Sequence, residues 1–381
     1  MSILFNQVIL SDYAKEILND CINTGHFQAD GKYTDKVIRF FHTHLSIEKI
    51  VLTTSCSHAL EAALWLKNIK QQEEVIMPSF NFPSAPNAVL LHRGLVKFCD
   101  ISLDTLCPDE NDMLNRITPL TKAIIPLNYG GISCDLDLLV NAQSDNREWI
   151  IIEDSAQCVF SQYKNRYLGT IGDMGCFSFH GTKNIQSGEG GALILNHPDI
   201  PLEKAQNMVQ KGTNRHQFIQ GQTSFYTWVD VGSSYTPSDL LMALLYSQLL
   251  EYPEKLMIRE QAFNRYQENL SPYIGYKGFI AMTKIPKYNI SNHHLFYIRL
   301  DNQSTRNQLM KQLKDRNIDS RFHFMPLHQS PMGQRLGYRL DDFPNSRIAS
   351  ETLLRLPLHN HIQPHEVDYV SESIIDILKE L

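Results

Sequence analysis

Between about Lys49 and Asn196 the chain alternates short, β-branched apolar runs with longer stretches of helical periodicity. The runs are EEVIMPS, VKFCDI, KAIIPLNY, EWIIIED, MGCFSFH and GGALILN. Apolar runs this short, separated by helix-length segments, are the pattern of βαβ units and predict a mostly parallel sheet in an α/β fold. One intervening segment, SHALEAALWLK, places Ala59, Leu60, Ala63 and Leu64 on one helical face. In such a sheet, ligand-binding groups are expected at the carboxyl ends of the strands. After about Tyr246 the pattern changes to a long helical stretch, QLLEYPEKLMIREQAFNRYQENL, then the apolar run HHLFYIRL and the helical TRNQLMKQLKDRN and EVDYVSESIIDILKEL. We therefore expect a large domain over residues 1–245 and a smaller α+β domain over 246–381, closely packed because no low-complexity linker separates them.

Composition narrows the partners. A chain of 381 residues, 43% hydrophobic, can bury a large core, and a formal net charge of −6 offers no long-range attraction to nucleic acid or to an anionic membrane. No apolar run approaches the roughly 20 residues that cross a bilayer, and the N-terminus lacks a basic start and a cleavage site. Seven cysteines without a CxxC pair read as reduced thiols in a cytoplasmic protein.

Three places carry residues suited to chemistry. TTSCSHALEAAL sets hydroxyl and small residues, with Cys56 and Ser57 among them, before a helix; this is either a plain N-cap or an anion site made of first-turn N–H groups. WIIIEDSAQ ends the most apolar strand on Glu153 and Asp154, with Gln157 shortly after. A strand-end carboxylate can hold a ligand's pyridine nitrogen protonated, or simply cap the next segment. FSFHGTKNIQSGEGGALIL carries Lys183 five residues after Ser178. A lysine forms a Schiff base with an aldehyde when its surroundings lower its pKa. In that order, a phosphate-cradling turn, a strand-end aspartate and a strand-end lysine match what pyridoxal phosphate needs. Phe80 and Phe82 in MPSFNFPS follow a strand end, and one of them can stack on a cofactor ring.

These residues, with DGKYT, IIPLNYGG, LGTIGDMGCFSFHGTKNIQSGEGGAL, KGTNRHQF, YTWVDVGSSYTPSDL and MPLH, resemble the DegT/DnrJ/StrS sugar aminotransferases over about residues 6–375. The resemblance implies the fold-type I architecture of pyridoxal phosphate enzymes: a mostly parallel seven-stranded sheet between helices, with a smaller C-terminal domain. It implies that Lys183 bonds the cofactor, Asp154 partners the pyridine nitrogen, Gln157 meets the ring hydroxyl, and Phe82 stacks on the ring. Ser178 and the backbone of Cys56 and Ser57 would hold the phosphate. Relatives that remove a sugar hydroxyl have histidine where this chain has Lys183, which favours amino transfer.

The resemblance also implies homodimers with shared active sites, L-glutamate and 2-oxoglutarate as the donor pair, and a nucleotide sugar as acceptor. Many relatives have G-x-N-x-R where this chain reads GSSYT, so Ser234 replaces an asparagine that reaches the neighbouring subunit's phosphate. The GSSY version is similar to the subgroup that converts dTDP-4-keto-6-deoxyglucose to dTDP-4-amino-4,6-dideoxygalactose for enterobacterial common antigen and related cell-surface polysaccharides such as the O-antigen of lipopolysaccharide. Lys211 and Arg215 either serve the partner's site or form a solvated basic loop. His328 matches a histidine near the sugar site or is a satisfied structural histidine. His359, His361 and His365 read as a polar loop, and no metal is expected.

Overall fold

The computed structural model describes residues 2–144 and 148–380. Seven strands form the central sheet: β1 (Ile50–Thr53), β2 (Glu74–Pro78), β3 (Leu95–Cys99), β4 (Thr121–Ile124), β5 (Ile150–Asp154), β6 (Met174–Ser178) and β7 (Gly191–Leu195). Their order across the sheet is β1-β7-β6-β5-β4-β2-β3. Strand β7 runs antiparallel to both neighbours, and the remaining pairs are parallel. Six strands therefore point the same way, as the alternating sequence predicts, and their carboxyl ends emerge along one edge. β5 and β6 are buried along their whole length. That follows from helices covering both faces, which is why these strands read as continuous apolar runs rather than as alternating ones.

Helix α1 (Asp12–Thr24) and helix α2 (Lys32–Leu45) pack with α5 (Asp239–Leu250) on one face of the sheet, while α3 (Cys56–Lys67) and α4 (Ser84–Leu91) lie together against the other core cluster. The DGKYT and PSDL motifs meet here. The Asp239 carboxylate accepts from Tyr33 N (3.1 Å) and from both the backbone N (2.7 Å) and the hydroxyl (2.8 Å) of Thr34, so it caps the N-terminus of α2. Gly31 is required at the contact, because a Cβ there would lie 2.4 Å from the Asp239 carboxylate.

The C-terminal part is built on an antiparallel sheet of β8 (Phe279–Met282), β9 (Phe296–Leu300) and β10 (Leu353–Leu356). Helices α6 (Tyr252–Leu270), α7 (Gln303–Asp315) and α8 (Pro364–Glu380) cover it, burying Leu309, Leu313, Val370 and Ile374 against Phe296, Ile298 and Leu354. The last residue of the expected C-terminal helix, Leu381, lies outside the described residues. Position 245/246 falls inside α5, and Ile3 joins the C-terminal core by pairing with Ile318.

Glu153 shows how the strand end is braced. Fully buried, its carboxylate accepts from the backbone N–H groups of Gly169 (2.8 Å), Ile171 (2.7 Å) and Gly172 (2.8 Å) and from Asn128 Nδ2 (3.0 Å). Glu153→Ala strands these donors without water, so we expect a loss of about 3–5 kcal/mol in urea-unfolding stability.

Candidate active site

Because six strands end at one edge, the residues following β1, β2, β5 and β6 converge there and face the C-terminal sheet across a cavity of about 410 Å³. Strand β1 leads into α3 through Thr54 and Ser55. The Ser55 side chain caps α3 by accepting from His58 N (3.1 Å), and the first-turn N–H groups of Cys56 and Ser57 have no partner inside the helix. Ser57 Oγ lies 2.6 Å from Ser84 Oγ. Gly191 pairs with Thr53 of β1 and with Ser178 of β6, which brings the end of β6 against α3. A Cβ on Gly191 would sit 2.4 Å from the Ser55 carbonyl carbon, so only glycine allows this approach. The result is a cradle of N–H groups and hydroxyls at the positive end of a helix, suited to an anion.

Asp154, 5% exposed, ends β5 at the floor of the cavity. Burial pushes its carboxyl up to about 6, while the Ala156 N–H and the charge of Lys183 pull the other way. Lys183, in the turn after β6, lines the same cavity. Burial lowers its pKa, and the acidic groups of Cys56 and Asp154 oppose that shift. An amine desolvated in this way is more available as a base and nucleophile.

The turn is locked from the C-terminal side. Asn184 donates to Asn292 O (2.8 Å), its carbonyl accepts from Asn360 Nδ2 (2.7 Å), and its Oδ1 lies 2.8 Å from His294 Nδ1. Gln157 Oε1 accepts from Gly130 N (2.7 Å), leaving its NH₂ as a donor on the cavity wall. Phe82, 61% exposed, lines the cavity, whereas Phe80 is fully buried against Tyr129 and Phe324.

The structure thus brings together Cys56, Ser57, Phe82, Asp154, Gln157, Ser178 and Lys183. It does not bring Lys211, Arg215 or His328 to them. Lys211 and Arg215 line a separate surface pocket with Asp30 and Ser234. His328, expected as one alternative near a sugar, is fully buried: its Nδ1 lies 2.6 Å from Ser79 Oγ and its ring packs on Phe343. That burial turns the side chain into the core behind β2 instead of the cavity.

Cavity residues that the sequence reading passed over come from the C-terminal part: His294, His323, Arg321 and Arg355. His323 Nδ1 lies 2.8 Å from the Tyr129 hydroxyl. Burial holds both histidines well below the usual imidazole range, and the nearby Lys183 and Arg355 push them the same way, so they are neutral at pH 7. Arg355 did carry a signal, as a charge inside the buried run LLRLPL.

Among the described residues no helix is long and apolar enough to cross a membrane. The chain is 31% identical over 354 residues to the spore coat polysaccharide biosynthesis protein SpsC of Bacillus subtilis, covering 89% of this chain and 88% of that one. It is 28% identical to the dTDP-4-dehydro-2,3,6-trideoxy-D-glucose 4-aminotransferase of Saccharopolyspora spinosa, covering 87% and 86%. Its fold matches that of the putative sugar aminotransferase Spr1654 of Streptococcus pneumoniae with a TM-score of 0.91 over 100% of this chain and 98% of that one, at 24% identity. The model of the DegT/DnrJ/EryC1/StrS aminotransferase family matches residues 9–375, nearly the whole chain. With this fold and a buried lysine and aspartate facing one cavity, the chain belongs to the DegT/DnrJ/EryC1/StrS aminotransferase family, whose cofactor is pyridoxal phosphate.

Proposed function

We propose that this enzyme moves an amino group from L-glutamate to a dTDP-linked 4-keto-6-deoxy sugar, dTDP-4-keto-6-deoxyglucose, for a cell-surface polysaccharide. The observation that carries the transferase reading is the convergence of Lys183 and Asp154 on one cavity beside an anion cradle. The GSSY motif and the named activity of the Saccharopolyspora relative support the sugar.

Pyridoxal phosphate fits these residues, since the cradle has unspent donors and Asp154 is a buried carboxylate that feels the charge of Lys183 but forms no salt bridge among the described residues. When bound, the cofactor supplies an aldehyde that carries the nitrogen between substrates and a ring that stores an electron pair. The Cys56 and Ser57 N–H groups, with the Ser57 and Ser178 hydroxyls, would hold its phosphate. Asp154 would keep the pyridine nitrogen protonated, Gln157 would donate to the ring hydroxyl, and Phe82 would cover the ring face. Lys183 would anchor the aldehyde carbon. Once the donor displaces it, its amine would take the proton from the donor's α-carbon and later return one to the sugar's C4. The neutral His294, through Asn184, holds the Lys183 turn in place.

A homodimer fits the segment beside the Lys211 pocket, where Phe225 (69%) and Trp228 (75%) are exposed with Val231 and Phe218. A second copy would cover them, and Lys211 and Arg215 would then meet the nucleotide diphosphate in the partner's site. The seven buried thiols suit the cytoplasm.

The test is incubation with L-glutamate and a panel of dTDP-, UDP- and GDP-linked 3-keto and 4-keto sugars, with products identified by NMR. We expect amination at C4 of the dTDP sugar. Loss of a hydroxyl without gain of nitrogen would make the enzyme a dehydratase, and amination at C3 or of another nucleotide sugar would overturn the substrate assignment.

A further inference from the structure

One cation in the cavity is left unused by this reading. Arg355, on β10, lines the cavity, and among the described residues its side chain makes one hydrogen bond, from Nη2 to Phe322 O (3.2 Å). Its Nε is buried without a partner. Among the described residues no carboxylate pairs with it: burial lowers its pKa, the Tyr129 hydroxyl opposes that shift, and Arg321 adds to the lowering. The neighbouring Arg321 is already committed, with a bidentate pair to Asp319 (2.9 and 2.7 Å).

Phe5 neighbours both guanidinium groups. Its ring centroid is 4.7 Å from Arg355 Cζ and 5.7 Å from Arg321 Cζ. The guanidinium donors lie in the plane of the group, so a ring over one face leaves the N–H edge free for a ligand. Phe5 is held on both sides. Ile3 N donates to Asn317 O (2.9 Å) and Ile3 O accepts from Asp319 N (3.0 Å), while Asn6 Nδ2 donates to Gly181 O (2.9 Å), two residues before Lys183. The N-terminal segment therefore ties the arginine wall to the lysine turn.

A half-buried guanidinium with a buried, unpartnered Nε and no salt bridge among the described residues calls for a planar anion that accepts two parallel hydrogen bonds, which is a carboxylate. The cradle on α3 already provides for a phosphate on the other side of the cavity. Arg355 also lies close enough to Lys183 for its charge to lower the lysine's pKa. A carboxylate bound there would be attached directly to the α-carbon on which the lysine works. We infer that Arg355, steadied by Phe5, binds the α-carboxylate of the amino donor and so selects an α-amino acid over a simple amine. The inference rests on the aminotransferase reading. Arg355 is the binding residue, and Phe5 is a positioning residue that acts through it.

The test uses the cofactor-loaded protein with the variants Arg355→Met, Arg355→Lys and Phe5→Leu. Two readouts are needed: the KM for L-glutamate, and the affinity for L-α-methylglutamate, which has no α-hydrogen to lose and so reports binding through the cofactor's absorbance. For Arg355→Met both are expected to weaken about 10- to 100-fold, the loss of one charge-assisted pair, with the KM for the nucleotide sugar unchanged. Arg355→Lys keeps the charge without the fork and should recover part of the loss; it also serves if the methionine variant does not fold. Phe5→Leu should weaken donor binding by about 2- to 5-fold. An unchanged donor affinity in both Arg355 variants overturns the inference, and a raised KM for the nucleotide sugar alone would assign Arg355 to its diphosphate. If the wild-type protein reacts with no amino acid at all, the aminotransferase reading itself has failed, which is a different outcome.

Discussion

Lys183→Ala is expected to lower turnover by roughly 10⁴-fold or more, because one residue both anchors the cofactor and moves the proton at the donor's α-carbon. The fold should survive. Lys183 sits in a turn whose geometry is set by neighbours: its own N–H bonds His180 O (2.9 Å), and Asn184 is held by Asn292, Asn360 and His294. None of these contacts uses the lysine side chain. Burial also disfavours the charged amine more than Cys56 and Asp154 favour it, and Lys183 forms no salt bridge among the described residues, so its removal costs the cofactor-free protein little. Two measurements check this. Borohydride treatment followed by mass spectrometry should add the cofactor's mass to the wild-type chain and nothing to the variant, and the thermal midpoint of the cofactor-free variant should match the wild type. A variant that kept full turnover would remove Lys183 from the mechanism.

Asp154→Asn should lower turnover by about 10²–10³-fold, the size of effect seen when one preorganised charge is removed from a site. It should also change stability with a sign that depends on pH. In the cofactor-free protein the Asp154 carboxyl titrates near 6, raised from 3.8 by burial. A raised value means that the folded state binds the proton more tightly than the unfolded state. Stability from this group is therefore fully present below about pH 4 and is lost as pH rises through 6. Asparagine, neutral at every pH, avoids that loss. The variant should be more stable than the wild type by about 2–3 kcal/mol at pH 8 and equal to it at pH 4. With cofactor bound the order should reverse at pH 8, since a pyridinium partner turns the buried charge from a cost into an ion pair. Thermal melts with and without pyridoxal phosphate at the two pH values read all four outcomes. A cofactor-independent difference would mean that Asp154 does not face the pyridine nitrogen. Such a residue, unfavourable for the empty fold and useful only with a ligand, is the usual sign of a functional position.

Most of the large sheet was legible because its strands are short, apolar and separated by helix-length segments. The antiparallel course of β7 was not, since GGALILN reads the same in either direction, and only its pairing with β1 and β6 reveals it. The strand-end residues Asp154, Ser178 and Lys183 could be picked out because a parallel sheet sends its carboxyl ends to one edge. Phe80 and Phe82, two positions apart on the same turn, could not be separated by periodicity. The structure buries the first and turns the second to the cavity. His328 gave no sign of its depth, because a histidine bonded to a buried serine has the same letter as one that meets a substrate.

The chain by itself determined what is local or repeated: the apolar alternation, the capped start of α3, the glycine at position 191, and the order of cradle, acid and lysine along one edge. Tertiary structure decided what depends on residues far apart in sequence. Phe5, His294, Arg321 and Arg355 meet around one cavity although up to 350 positions separate them, from 5 to 355. No spacing rule connects them. They come together because Ile3 pairs beside Ile318 and the C-terminal sheet closes over the strand ends, and that closure is what buries Lys183 and Asp154 deeply enough to shift their protonation.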